Sequence, residues 1–154
     1  MRAVVQRVLR ARVTVDDVET GAIDDGLLIY LAIGPDDAST EVEWMARKLA
    51  ELRLFPGPNG FLDRSLEEAG GAVLLVSQFT LYADTRRGRR PDFTDAARPE
   101  VAAPLIEAVA TALRARSLRV AEGRFGAHMV VDAVNDGPVT ILLDSADLDR
   151  PRRS

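Results

Sequence analysis

The chain has 154 residues, 47% of them apolar, and a net charge of −4, enough to bury one ordinary core and too little for two. It has no cysteine and one histidine, His128, which excludes disulfides, thiolate nucleophiles and Cys-ligated metals and argues against zinc held by several imidazoles. No run of eighteen apolar residues occurs and the segment from Met1 to Arg12 carries charges throughout, so a soluble, cytoplasmic protein is expected.

Met1 to Arg10 and Ala11 to Val18 alternate in polarity and read as two strands, with Val4 or Val5, Val8, Val13 and Val15 facing inward. Gly26 to Ile33 is a continuous apolar run, as a strand buried on both faces requires. Thr40 and Glu43 form a capping-box pattern, and Val42, Met45, Leu49 and Leu52 recur at helical spacing, with Trp44 beside that stripe. Leu52 to Phe55 reads as a short strand, and Pro56-Gly57-Pro58-Asn59-Gly60 as a turn or loop. Ala72 to Tyr82 is the most apolar strand, and Asp84 to Asp95 is a charged loop without periodicity.

A second helix runs to about Arg116, with Val101, Leu105, Val109 and Ala112 or Leu113 on one face. Pro99 suits its first turn, whereas Pro104 would remove an interior hydrogen bond, so its start is open between them. Ser117 to Ala121, Ala127 to Val134 and Val139 to Leu143 read as three closing strands, before a polar tail over 146–154. The order of strands, helix, strands, helix and strands makes the fold α+β: one domain over 1–145, with mostly antiparallel or mixed sheet.

The charge is unevenly placed. Of twenty basic residues all but Lys48 are arginine, the side chain best shaped for bidentate phosphate contact. Arg86, Arg87, Arg89 and Arg90 crowd into five residues. The net acidity excludes a protein that binds nucleic acid over its whole surface, and leaves room for a local phosphate patch in this loop.

Two polar patches lie against strand-like runs, Ser77-Gln78-Phe79-Thr80-Leu81 and Asn135-Asp136-Gly137-Pro138-Val139-Thr140, and sites tend to be built at strand ends. A Gly-Pro pair between strands is, taken alone, most often a turn. His128 falls in a strand pattern with no Gly-x-Ser-x-Gly elbow anywhere, so Ser77 and Thr80 lack an evident base and serine-hydrolase chemistry is disfavoured. Asp132, Asp136 and Asp144 show no spacing that selects a catalytic pair. No phosphate-binding loop, dinucleotide fingerprint or metal-ligand cluster is present, so no cofactor is expected.

These patches, together with Met1-Arg2-Ala3-Val4-Val5-Gln6-Arg7-Val8, the run from Leu81 to Pro91, and Gly123-Arg124-Phe125-Gly126-Ala127, resemble the D-aminoacyl-tRNA deacylase family in the same order. The likeness spans about 145 residues and leaves out only the tail. It implies a β-rich, barrel-like body with two helices packed outside, built as a homodimer. It further implies that Ser77, Gln78, Phe79 and Thr80 form the pocket floor, and that main-chain groups near Phe79 and the Thr80 side chain hold the ester end and terminal adenosine. The substrate's own vicinal 2′-hydroxyl would assist.

In the same resemblance Gly137-Pro138 is cis and enters the partner's pocket, where its carbonyls take the α-ammonium and its main chain blocks an L side chain. Glycyl-tRNA would leak through such a filter. Arg7 would fix the orientation of the motif, and Arg86, Arg87, Arg89 and Arg90 would bind tRNA. The loop Phe61-Leu62-Asp63-Arg64-Ser65-Leu66 departs from the family pattern, which has Asn at the Asp63 position; Asp63 would bring negative charge to the site if that loop lines it. The competing reading is a non-catalytic RNA-binding module built on the Arg86–Arg90 loop. The chain's 5% aromatic content, with none interleaved in that loop, supplies base stacking poorly and favours the enzyme.

Overall fold

A computed structural model describes residues 1–148. Strands β1 (Arg2–Val15), β2 (Val18–Ile23) and β3 (Gly26–Ala32) are followed by helix α1 (Ser39–Glu51), a small hairpin of β4 (Phe55–Gly57) and β5 (Gly60–Arg64), and the single turn α2 (Leu66–Ala69). Then come β6 (Ala72–Ser77), a 3₁₀ turn over Phe79–Tyr82, α3 (Pro99–Ala115), β7 (Arg119–Glu122), β8 (Val130–Asp144) and a last 3₁₀ turn over Ser145–Asp147. The expected polar tail thus begins with a turn, and its residues 149–154 lie outside the described residues.

The main sheet runs β2-β1-β3-β6-β7, with β8 laid along the other edge of β1. β1 is antiparallel to β2, β3 and β8, whereas β3–β6 and β6–β7 are parallel, making the sheet mixed. It curls until β2 meets β7. Arg119 donates to the Ala22 carbonyl at 3.0 Å, and a Cβ on Gly21 would sit 2.5 Å from the Glu122 carbonyl oxygen, so only glycine allows the two edges to come this close. The result is the barrel-like α+β body expected.

One apolar cluster fills the space between the sheet and the two long helices, with Val5, Leu27, Ile29, Leu31, Val73 and Leu75 against Met45, Leu49, Ile106, Val109 and Leu113. A second fills the inside of the curl, with Val8, Val13, Leu28, Leu74 and Val76. β3 and β6 therefore present apolar side chains to both faces, which is why each reads as an unbroken apolar run.

Several boundaries differ from the sequence reading. The first two expected strands are one, β1, and the chain reverses at Asp16-Asp17, both at positive φ (50° and 62°); Asp adopts the left-handed region more readily than most residues, so this pair serves as a hairpin turn. α1 begins at Ser39, and it is Glu41, not Glu43, whose carboxylate accepts the Ala38 N–H, at 2.8 Å. The Pro-Gly segment from 56 to 60 holds the expected turn at Pro58-Asn59, as the connection of the β4–β5 hairpin. Ala72 to Tyr82 does not stay extended: β6 stops at Ser77 and the next residues wind into a 3₁₀ turn.

α3 starts at Pro99 and carries Pro104 within it; its buried face is Ala102, Ile106, Val109, Ala110 and Leu113, while Val101 is exposed. The last two expected strands are one, β8, broken only by register shifts. A third helix, α2, is present beyond the two expected. Ser65 Oγ accepts the Glu68 N–H at 3.2 Å and Glu68 accepts the Ser65 N–H at 2.7 Å, the capping box that Ser65-Leu66-Glu67-Glu68 spells out.

Candidate active site

The parallel strands β3 and β6 end side by side, and a cavity of about 300 Å³ opens at their C-terminal ends. Leu31 to Ile33, Ser77 to Phe79, Phe93, the start of α3 and the pair Phe125-Gly126 line it. Clefts beyond the carboxyl ends of parallel strands are a recurring place for ligands. Three of the segments singled out in the sequence thereby meet: Ser77-Gln78-Phe79, the end of the arginine loop at Phe93, and Gly123 to Ala127.

Backbone bonds fix this floor. Gln78 N–H donates to the Leu31 carbonyl at 2.8 Å, Ala97 N–H to that of Ile33 at 2.9 Å, and Gly123 N–H to that of Leu75 at 3.0 Å. The 3₁₀ turn then begins at Phe79, where the first N–H groups have no acceptor inside the turn. Leu81 N–H turns back to the Gln78 carbonyl at 3.2 Å, whereas among the described residues the N–H groups of Phe79 and Thr80 find no backbone acceptor. Gln78 Nε2 donates to Thr80 Oγ1, so the hydroxyl is oriented by an amide and not by a base. Phe79 is exposed and meets Phe93 edge to face, with centroids 5.2 Å apart. Thr80 is exposed beside the cavity and is not part of its lining. His128 precedes β8 instead of lying on a strand, is exposed, and does not line the cavity.

The turn is held from below. Arg2 donates to the Leu81 carbonyl at 3.1 Å and to Asp144 at 3.1 Å, and its guanidinium lies 4.4 Å over the Tyr82 ring. Burial, with Asp37 next, pushes the Tyr82 hydroxyl well above the usual phenol range.

Asn135 to Thr140 occupies a bulge. Between Val8–Asn135 and Gln6–Thr140 one residue of β1, Arg7, stands opposite four of β8, Asp136 to Val139. Asn135 closes the bulge by accepting the Val139 N–H at 3.2 Å and donating to Thr140 Oγ1 at 2.9 Å, while Val139 is buried. Gly137 sits at φ +123°, where other residues are strained, and its bond to Pro138 is cis. Bulges of this kind commonly aim backbone at a site.

Arg7 is 2% exposed. Its Nη1 donates to the Leu54 carbonyl at 2.6 Å and, more weakly, to that of Phe61 at 3.4 Å; the guanidinium lies 4.3 Å from the centre of the Phe61 ring. Nε approaches Asp136 Oδ2 at 3.0 Å as an ion pair, yet without the alignment of a hydrogen bond. Arg7 thus ties the bulge to the segment before β4. Within one chain, however, Gly137 and Pro138 do not line the cavity.

The arginine loop is fully exposed. Its base is pinned by mutual backbone bonds between Asp84 and Asp92, at 2.8 and 2.9 Å. Arg86 is committed to that base, with Nε 2.9 Å from Asp84 Oδ1 and Nη2 2.6 Å from Oδ2, and these bonds hold the Asp84 carboxyl down at about 2. Arg87, Arg89 and Arg90 make no such contact among the described residues. Asp63 does not line the cavity. It folds back on its own hairpin, accepting the Asn59 N–H at 3.0 Å, which is the main cause of its lowered pKa.

Residues 4–144 match the family described as D-Tyr-tRNA(Tyr) deacylase. A D-aminoacyl-tRNA deacylase of Chloroflexus aurantiacus is 58% identical over 154 residues, all of this chain and 96% of that protein. One from Kineococcus radiotolerans is 57% identical over 146 residues, 94% of this chain and 100% of that one. Among solved structures, the c-Myc DNA Unwinding Element Binding Protein superposes with a TM-score of 0.87 at 40% identity, over 94% of this chain and 99% of its own. A probable eukaryotic D-amino acid tRNA deacylase superposes at 0.80 with 21% identity, over 92% and 97%, a likeness of fold alone. The class these matches define is that of the hydrolytic deacylases. The chain belongs to the D-Tyr-tRNA(Tyr) deacylase family.

Proposed function

We propose that this protein hydrolyses the ester of D-aminoacyl-tRNA to free D-amino acid and tRNA, a chiral proofreading step of translation in the cytoplasm, and that it also clears glycine mischarged on tRNA(Ala). Besides the family match, the observation that carries the reading is the cavity floor at Ser77 to Phe79 with Thr80 beside it: the Phe79 and Thr80 N–H groups find no backbone acceptor among the described residues, Gln78 orients the Thr80 hydroxyl, and no His, Asp, Glu or Lys lines the cavity. An aminoacyl ester is activated, so positioning and preorganised N–H donors suffice to stabilise its oxyanion. Phe79 and Thr80 N–H are the proposed donors, Gln78 and the Thr80 hydroxyl hold the ester end and terminal adenosine, and the vicinal 2′-hydroxyl of the substrate assists the attack.

Chirality is assigned to Gly137-Pro138 acting from a second copy. Two observations support this. The pair is exposed and lies outside its own chain's cavity, and the strand that carries it, β8, pairs among the described residues with β1 alone, leaving its outer edge of fifteen residues open there. Leu142 on that strand is 76% exposed. A two-fold dimer would cover such a surface and give two equivalent shared sites. A wall of main chain has no rotamer to move, so it rejects every L side chain whatever its identity, and glycine, with none, passes. Arg7 would hold the wall in place.

The test is release of D-tyrosine from D-tyrosyl-tRNA, repeated with His128→Ala and with tRNA ending in 2′-deoxyadenosine. His128→Ala should stay within a few-fold of the parent and the deoxy substrate should react far more slowly. A loss of roughly 10⁴-fold in His128→Ala, the scale of a missing triad member, or equal rates on the two tRNAs, would overturn this mechanism.

A further inference from the structure

We propose that Arg98 and Arg124 clamp the phosphodiester groups just 5′ of the terminal nucleoside of the substrate, as a two-arginine bridge across the cavity mouth that is separate from the Arg86–Arg90 loop. The proposal rests on the tRNA reading above and adds two binding residues to it.

Both side chains are exposed, and both stand at the rim. Arg98 lies between the lining residues Ala97 and Pro99, and Arg124 directly precedes the lining pair Phe125-Gly126. Neither position is a free loop tip. Ala97 N–H is bonded to the Ile33 carbonyl at the end of β3, and Gly123 N–H to Leu75 of β6; the turn from Arg124 to Ala127 is closed at 3.2 Å, with Gly126 at φ +76°. The two arginines are therefore each one residue from backbone anchored to neighbouring parallel strands, on the two sides of one opening.

Several other arginines of this fold are engaged. Arg2 pairs with Asp144, Arg12 with Asp132, Arg114 with Glu107 and Glu122, and Arg116 with Glu51 and Glu67. Arg98 and Arg124 make no ion pair or side-chain hydrogen bond among the described residues. The acids nearest in sequence do not take them: Glu122 is held by Arg114, and the Asp92 carboxylate accepts the Thr94 N–H at 2.8 Å. Asp95 is felt at Arg86, whose pKa it helps to raise, and Glu100 stands exposed on the first turn of α3. On a protein of net charge −4, two unpaired guanidinium groups flanking an apolar cavity suit a ligand with an apolar end and a polyanionic stem. The 3′ end of an RNA strand is such a ligand, and a guanidinium fits its phosphates bidentately.

The experiment compares the parent, Arg98→Gln, Arg124→Gln, the double Gln variant and the double Lys variant. Binding of uncharged tRNA is followed against salt, and hydrolysis is followed on D-tyrosyl-tRNA and on the D-tyrosyl ester of adenosine, which has no phosphate. The double Gln variant should lower the slope of log K against log salt by roughly 1.4 units, at ~0.7 per single-stranded phosphate contact. Its KM for D-tyrosyl-tRNA should rise several-fold with kcat unchanged, its kinetics on the adenosine ester should match the parent, and the Lys variant should retain most of the slope. An unchanged slope, or an equal loss on both esters, overturns the clamp. Failure of the parent to hydrolyse either ester would overturn the functional reading, while the slope for uncharged tRNA would still decide the clamp.

Discussion

Arg7 is the residue on which the bulge of β8 depends. It is buried, gives a short hydrogen bond to the Leu54 carbonyl and faces Asp136, so Arg7→Met should cost about 1.5–3 kcal/mol, the range for charge-assisted bonds lost on removing one partner. Arg7→Lys keeps the charge without the planar fork and should lose less. Urea midpoints measure both, and a Met variant as stable as the parent would contradict this account. Gly137→Ala is less innocent than its sequence suggests. The new methyl would meet Val139 Cγ2 at 2.8 Å and Arg7 Nη2 at 3.2 Å, at a φ of +123°, so a destabilisation of about 1–3 kcal/mol should accompany any loss of activity, and a fully stable variant would refute the strain.

A second test at this scale concerns Asp84. Its side-chain bonds with Arg86 depress its pKa to about 2, so the contribution of the pair is complete above the usual carboxylate value of ~3.9 and is lost only as pH falls through about 2. The loop base should therefore be insensitive to pH from 5 to 8. Carbon-detected NMR should find Asp84 titrating near 2 in the parent and moving up in Arg86→Gln; an unmoved midpoint would sink the assignment.

Among the elements, the arginine loop divides its labour. Arg86 is held at the loop base by Asp84; on the proposal that Arg87, Arg89 and Arg90 bind tRNA phosphates, replacing Arg89 and Arg90 by Gln should lower the salt slope of tRNA binding by roughly 1–2 units, at about 0.7–0.9 per contact. D-over-L selectivity should not change. Loss of selectivity, or an unchanged slope, would return the loop to solvated surface.

What the sequence made legible follows from periodicity. β3 showed itself because both faces are buried, and α1 because Val42, Met45 and Leu49 make a stripe. The 3₁₀ turn did not, since Phe79-Thr80-Leu81-Tyr82 has strand propensity, and the bent form is held by the Leu81 N–H on the Gln78 carbonyl and by Arg2 on the Leu81 carbonyl. The start of α3 was open because Pro99 suits a first turn while Pro104 costs an interior hydrogen bond; Val109 and Leu113 of its expected face are buried, with Ala102 and Ile106 in place of Val101 and Leu105. α2 has a signal in Ser65 with Glu68, but at a single turn it is too short to show helical periodicity.

For the whole molecule, the proposed site has two segments, Ser77 to Thr80 and Gly137-Pro138, that do not share a cavity within one chain. The segment from Ser77 to Thr80 was legible as a polar patch closing an apolar run, and Arg7 as part of a motif, but composition gives no hint that Arg7 is buried opposite a bulge. The cavity's third wall, Phe93 with Phe125, rests on tertiary packing and carried no sequence signal beyond the resemblance. If the open edge of β8 marks a dimer, sedimentation at micromolar concentration should give twice the chain mass; a monomer at all concentrations would remove the shared site. The measurement that bears most directly on the central claim is the ratio of hydrolysis rates on D-tyrosyl-tRNA and L-tyrosyl-tRNA under identical conditions. Rapid release of D-tyrosine with L-tyrosyl-tRNA left at its spontaneous rate is the result predicted, and comparable hydrolysis of both, or of neither, would contradict it.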